Sequence, residues 1–171
     1  SVNFASLKKP EFSVGGGNGT NFCQGQNVIL TAVPYQGNPN DISYLWYANN
    51  MLIATTQPQT IYIINQPPPG QYQYTLRVKI KECLTLNATI ITVNVFARPP
   101  ASVVNNNIVI CAGEQLSLGT NVAGTGLTYK WNGPLGWNDT VQFPLVTNTA
   151  IEAQSGFYTL TTTQNGCMSV P

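Results

Sequence analysis

Four landmarks recur along these 171 residues in one order and at nearly one spacing. Cys23-Gln24-Gly25-Gln26 returns as Cys111-Ala112-Gly113-Glu114, 88 residues on. Tyr44-Leu45-Trp46 returns as Tyr129-Lys130-Trp131, 85 residues on. Tyr74-Thr75-Leu76 returns as Tyr158-Thr159-Leu160, and Cys83 as Cys167, each 84 residues on. A fixed period of this kind marks repeated structural units. The expectation is two copies of a domain of about 85 residues. The joint falls near Arg98-Pro99-Pro100, where consecutive prolines withhold ladder donors and stiffen a short linker. The first copy then covers residues 10–98 and the second 99–171. Residues 1–9 read as a linker or the end of a preceding copy, because Val2-Asn3-Phe4-Ala5 echoes Val93-Asn94-Val95-Phe96-Ala97. The second copy stops four residues past Cys167, where the first still has a strand to run. The chain reads as a slice of a longer tandem array whose last strand is truncated.

Each copy is patterned as strands. In Gln71–Lys81, Tyr72, Tyr74, Leu76, Val78 and Ile80 alternate with polar residues, the signature of a strand with one buried side. Phe157–Thr163 is its counterpart. Residues Asn27–Val33, Ser43–Tyr47, Thr60–Ile64, Leu116–Thr120 and Leu127–Trp131 read as further strands, and Leu84–Phe96 as the final strand of copy one. Turn signals separate them, among them Gly37-Asn38-Pro39-Asn40, Pro67-Pro68-Pro69-Gly70 and Gln164-Asn165-Gly166. About seven short strands with a mid-copy Trp and two Cys predict an all-β protein of two tandem immunoglobulin-like antiparallel β-sandwiches. Trp46, Tyr74, Trp131 and Tyr158 are the expected core residues.

Composition narrows function. Only 8% of residues are charged, against about 25% in an average soluble domain. The net charge of +1 and the scattered Lys and Arg give no electrostatic footprint for nucleic acid. No apolar run reaches the roughly 20 residues of a membrane helix. Polarity comes from Asn, Gln, Thr and Ser, which suits an extracellular, β-rich surface.

The second copy carries Cys111-x-Gly113, then Tyr129-x-Trp131-x-Gly133-Pro134-x-Gly136-Trp137-x-x-Thr140, then Ser155-Gly156-x-Tyr158-Thr159-Leu160 and Asn165-Gly166-Cys167. This series resembles the immunoglobulin-like repeats of very large secreted surface proteins of Bacteroidetes, including gliding-motility adhesins. The family usually has Phe where Trp137 stands. Copy one keeps Cys23-x-Gly25, Trp46, Gly70, Tyr74 and Cys83 but lacks the Gly-Pro loop. The resemblance implies export by the type IX route, display on the cell surface, and a part in adhesion or gliding. It also implies an acceptor for O-linked sugar at Thr140, within Asp139-Thr140-Val141.

Four cysteines in two repeat-equivalent pairs suggest bridges Cys23–Cys83 and Cys111–Cys167, each clamping one end of a sandwich. Zinc would need close Cys-x-x-Cys or His spacing, and the chain has neither. With no histidine, nothing activates a catalytic thiol. The carboxylates Glu11, Asp41, Glu82, Glu114, Asp139 and Glu152 form no close pair for acid–base hydrolysis. Asn138-Asp139 is a weak calcium candidate. Gly15-Gly16-Gly17-Asn18-Gly19 lacks the Lys-Ser/Thr and helix of a phosphate loop and reads as a flexible connection. Trp137 sits in a Gly-Pro-Leu-Gly loop where an aromatic could stack on a sugar ring, but the resemblance, which places an aromatic there routinely, favours local packing over the hairpin, with ligand contact by Trp137 or Tyr-rich loops as the lesser reading. The expected protein has no enzyme activity, metal or cofactor. It is a semi-rigid stalk or adhesive segment whose partners are neighbouring repeats, surface glycans or other cell-surface proteins. A glycan-binding module and accessory domains of a secreted hydrolase are the alternatives.

Overall fold

The computed structural model describes residues 7–101 and 108–170. The chain divides into two compact units, Ser1–Ala97 and Arg98–Pro171. The segment Val2–Phe4, expected to continue a preceding copy, lies outside the described residues.

Unit 1 contains β1 (Phe12–Gly15), β2 (Asn21–Cys23), β3 (Val28–Ala32), β4 (Ile42–Ala48), β5 (Met51–Thr56), β6 (Ile61–Ile64), β7 (Gly70–Ile80), β8 (Cys83–Leu84) and β9 (Ile91–Phe96). One sheet has the order β1-β3-β6, and the other β2-β9-β7-β4-β5 with β8 also on β7. All pairings are antiparallel except β2 with β9. Splitting the chain's first stretch between the two sheets, with the last strand beside it, gives an immunoglobulin-like sandwich. Alternation explains the burial. Val28, Leu30 and Ala32 of β3 face Ile42, Tyr44 and Trp46 of β4 and Tyr74, Leu76 and Val78 of β7 across one buried cluster. Burial, reinforced by Tyr72 and Tyr62, pushes the Tyr74 phenol up to about 12.

The glycine run is the crossover between sheets. β1 ends at Gly15, and the chain turns back on itself through the Asn18–Asn21 bridge before entering β2 in the opposite sheet. Gly16 adopts φ +99°, and a Cβ there would sit 2.3 Å from the Asn27 carbonyl oxygen. A Cβ on Gly17 would fall 2.6 Å from the Asn21 carbonyl and 2.7 Å from the Phe22 ring. The connection is exposed throughout, but at Gly16 and Gly17 the backbone lies too close to its neighbours for a side chain, while Gly15 and Gly19 have open space.

The expected final strand Leu84–Phe96 is not continuous. Thr85 N–H donates to Val78 at 2.9 Å and Ala88 N–H to Leu76 at 2.7 Å, before β9 resumes with Ile91 opposite Tyr74. The chain spends extra residues between these contacts, as a bulged strand does, and buries Ala88 and Thr85.

Unit 2 contains β10 (Leu116–Ser117), β11 (Thr128–Asn132), β12 (Asn138–Asp139), β13 (Leu145–Thr147), β14 (Thr159–Gln164) and β15 (Cys167–Met168). Its sheets are β10-β13 and β12-β11-β14-β15. The repeat seen in sequence is repeated in atomic detail. Trp46 stands opposite Leu76 and Trp131 opposite Leu160, and both indoles are fully buried. Thr85 Oγ1 accepts from Val78 N–H at 2.9 Å, and Ser169 Oγ accepts from Thr162 N–H at 3.2 Å.

That equivalence exposes a mismatch. Thr162 occupies the place of Val78 and is fully buried, yet its hydroxyl has no hydrogen-bond partner among the described residues. A stranded buried hydroxyl costs about 1–3 kcal/mol. Thr162→Val is therefore expected to stabilise unit 2 by about 1 kcal/mol. Urea unfolding of the variant checks this, and a lowered midpoint would show the hydroxyl to be satisfied.

Candidate functional sites

The strand-C loop of unit 2 forms one packed motif. Gly133 N–H donates to the Trp137 carbonyl at 2.9 Å, and Trp137 N–H to the Pro134 carbonyl at 3.1 Å. Between them Leu135 takes φ 57° and Gly136 φ +73°, which folds the loop into a single tight turn. A Cβ on Gly133 would lie 2.4 Å from the Tyr158 ring, and one on Gly156 2.8 Å from Pro134. The Trp137 and Tyr158 rings meet edge to face at 5.5 Å. Tyr158 donates its hydroxyl to the Gln154 carbonyl at 2.9 Å, and burial raises its phenol pKa. The residues Gly133, Pro134, Trp137, Gly156 and Tyr158 are thus spaced in sequence so that two loops can lock together. Tyr158, expected in the core, is half-buried and serves this lock, whereas Tyr74 is fully buried. Trp137 is half-buried with its edge committed to Tyr158. It also lines a shallow groove of about 600 Å³ with Tyr129, Lys130 and Asn132.

Asp139 closes a local turn: its Oδ1 accepts from Thr140 N–H at 2.6 Å and Val141 N–H at 3.1 Å. Thr140 itself is exposed. Among the described residues no three His, Cys, Asp or Glu side chains gather as metal ligands. A second groove of about 610 Å³ runs beside Ile108–Ala112, Leu116, Trp131 and Gln154–Tyr158, with Phe157 almost fully exposed at its edge.

The cysteines overturn an expectation. Cys83 and Cys111 are exposed free thiols, while Cys23 and Cys167 are disulfide-bonded. Neither Cys23–Cys83 nor Cys111–Cys167 is formed, and the topology of each unit says why. Cys23 stands opposite Phe96, next to the Val95–Gly70 pair at the start of β7. Cys83 stands opposite Ile80 at the end of β7. Ten strand residues separate those levels, about 33 Å, whereas bridged Cα atoms lie within about 7 Å. In unit 2, Cys111 lies with Gln154–Tyr158 where β14 begins, and Cys167 pairs with Gln164 where it ends. The two cysteines of each copy sit at opposite ends of its sandwich.

No protein-family model matches the chain, and no curated protein matches it in sequence. Among solved structures, the fibronectin(III)-like modules of Clostridium thermocellum CbhA are similar at TM-score 0.45 and 12% identity, covering 94% of this chain and 90% of that one. The FN1–FN3 domains of chicken CNTN1 are similar at TM-score 0.43 and 12% identity, covering 96% of this chain and 62% of that one. The amphioxus IgVJ-C2 molecule is similar at TM-score 0.39 and 14% identity, covering 86% and 94%. The strand order of unit 1, described above, is what assigns the fold. Among the described residues no helix is long and apolar enough to cross a membrane.

Proposed function

We propose that this chain is a non-catalytic repeat segment of an extracellular surface protein, a spacer that sets other parts of that protein at a distance. The observation that carries this reading is the duplication itself. Two copies keep the same buried Trp, the same hydroxyl contact to the central strand and the same turns, while their exposed loops diverge. What is held in common is scaffold. The one loop motif peculiar to copy two, around Trp137, is held by packing against Tyr158. The resemblance to gliding-motility adhesin repeats agrees with this reading and adds attachment or gliding as its setting.

The test is a glycan array probed with the two-unit chain, alongside its Trp137→Ala variant. The spacer reading expects no saturable binding by either protein. Saturable binding of one glycan class, lost in Trp137→Ala while the variant keeps its thermal transition, would overturn it in favour of a glycan-binding module.

A further inference from the structure

The four cysteines are presented by two kinds of turn, each occurring once per copy. The first is the Cys-x-Gly turn. Cys23 N–H donates to Gln26 Oε1 at 2.6 Å and Gln26 N–H returns to the Cys23 carbonyl at 3.0 Å. In copy two, Cys111 N–H donates to Glu114 Oε2 at 2.8 Å and Glu114 N–H returns to the Cys111 carbonyl at 3.1 Å. The intervening glycines match, with φ +88° at Gly25 and +92° at Gly113. The second is a two-residue hairpin turn. Cys83 stands opposite Ile80 after Lys81 at φ 53°, and Cys167 stands opposite Gln164 after Asn165 at φ 52°. The Cys-x-Gly turns thus match in both copies, while the hairpin turns share a positive φ at their first residue and differ at the second, where Gly166 takes φ +78° and Glu82 has no positive φ.

The oxidation states divide these turns evenly. The bonded cysteines are one of each kind, Cys23 from a Cys-x-Gly turn and Cys167 from a hairpin turn. The free ones, Cys111 and Cys83, are also one of each kind, and both are exposed. Bonding within a copy is excluded by the length of the sandwich. In unit 1 the two kinds also mark opposite poles. Cys23 lies beside Phe96, where the chain leaves. Cys83 lies at the other end of β7, the end to which Tyr35 ties the incoming chain by donating its hydroxyl to the Lys8 carbonyl at 2.6 Å and its N–H to the Tyr44 hydroxyl at 3.0 Å.

We propose that Cys111 of one copy of this chain forms a disulfide with Cys83 of a second copy, joining them head to tail. A contact between unlike turns is heterologous, so a joined series still offers one free Cys83 at one end and one free Cys111 at the other and stays open. The two thiols lose two protons and two electrons as the S–S bond forms. The electrons pass to an external disulfide, which is reduced to two thiols. The inference goes beyond the spacer reading without needing it, since a monomeric spacer and a ligand-binding module could each carry or lack such a joint.

The experiment incubates the purified chain, its Cys23 and Cys167 bonds intact, with oxidised glutathione and follows it by non-reducing electrophoresis and peptide mapping. The expected result is a ladder of covalent multimers whose junction peptides contain Cys83 joined to Cys111. Cys83→Ser and Cys111→Ser, each on its own, should abolish every covalent multimer, dimers included. An equimolar mixture of the two variants should form a single mixed dimer. Junctions joining like cysteines, a Cys83–Cys111 bond within one chain, or monomers capped by glutathione would each overturn the proposal. The glycan array is indifferent to all of these outcomes, so the two readings fail separately.

Discussion

Trp46→Ala is expected to remove a large share of the stability of unit 1 while leaving unit 2 folded. The indole is fully buried, sits opposite Leu76 at the centre of the larger sheet, and meets Phe12 of the other sheet edge to face at 5.9 Å. Its Nε1 donates to Thr56 Oγ1 at 3.1 Å, which in turn donates to the Gln59 carbonyl at 2.5 Å. Truncating a buried Trp costs about 3–5 kcal/mol. A small domain holds about 5–15 kcal/mol in total. In a urea titration with two resolved transitions, the variant should move one and spare the other. Trp131→Ala should do the reverse, because its Nε1 makes its own contact, to the Val141 carbonyl at 2.9 Å. A shift of both transitions in either variant would show that the units do not unfold independently.

The second large effect is expected in the glycine crossover, where three neighbouring positions separate two causes. Gly15→Ala meets nothing within 4 Å and has no positive φ, so it should be near neutral. Gly19→Ala also has open space but sits at φ +63°, so it carries backbone strain alone. Gly16→Ala combines φ +99° with a Cβ placed 2.3 Å from a backbone oxygen, which cannot rotate away. Strain and overpacking each cost about 1–3 kcal/mol, so Gly16→Ala should be the most damaging of the three. Thermal melts of unit 1 give the order. A Gly19→Ala variant as unstable as Gly16→Ala would mean that the crowding against Asn27 is relieved by a small loop shift.

The strands that were legible in the sequence are those with one face in the core. In β3, β4 and β7, burial and alternation coincide, so Leu30, Trp46 and Leu76 announce themselves. β5 was not legible, because Met51, Leu52 and Ile53 are all exposed at the sheet edge and no alternation results. β1 and β2 were hidden by the glycines that divide one stretch of chain between two sheets. Leu84–Phe96 misled because its composition suits a strand throughout, while the bulge at Thr85–Ala88 depends on hydrogen bonds to β7. The cysteine pairing failed for a different reason. The repeat fixes which cysteines are equivalent, but only the direction of each strand fixes the end of the sandwich at which each one lies. Trp137 and Tyr158 were legible as a motif, and their mutual packing became plain only once Gly133 and Gly156 were seen to make room for it.

Among the described residues β2 and β9 are the one parallel pair in unit 1, one early in the unit and one at its end. Asn94 N–H donates to the Thr20 carbonyl at 2.9 Å and Gln24 N–H to the Phe96 carbonyl at 2.8 Å, so the pairing is closed at both limits. Pulling the ends of the unit apart drags these strands past one another lengthwise. Every hydrogen bond between them is then loaded at once, whereas an antiparallel hairpin pulled from its open end parts one bond at a time. Under tension the lifetime of a fold is governed by its unfolding rate. The crossover at Gly16 and Gly17 thus does more than route the chain between sheets: it places β2 where it acts as a mechanical latch.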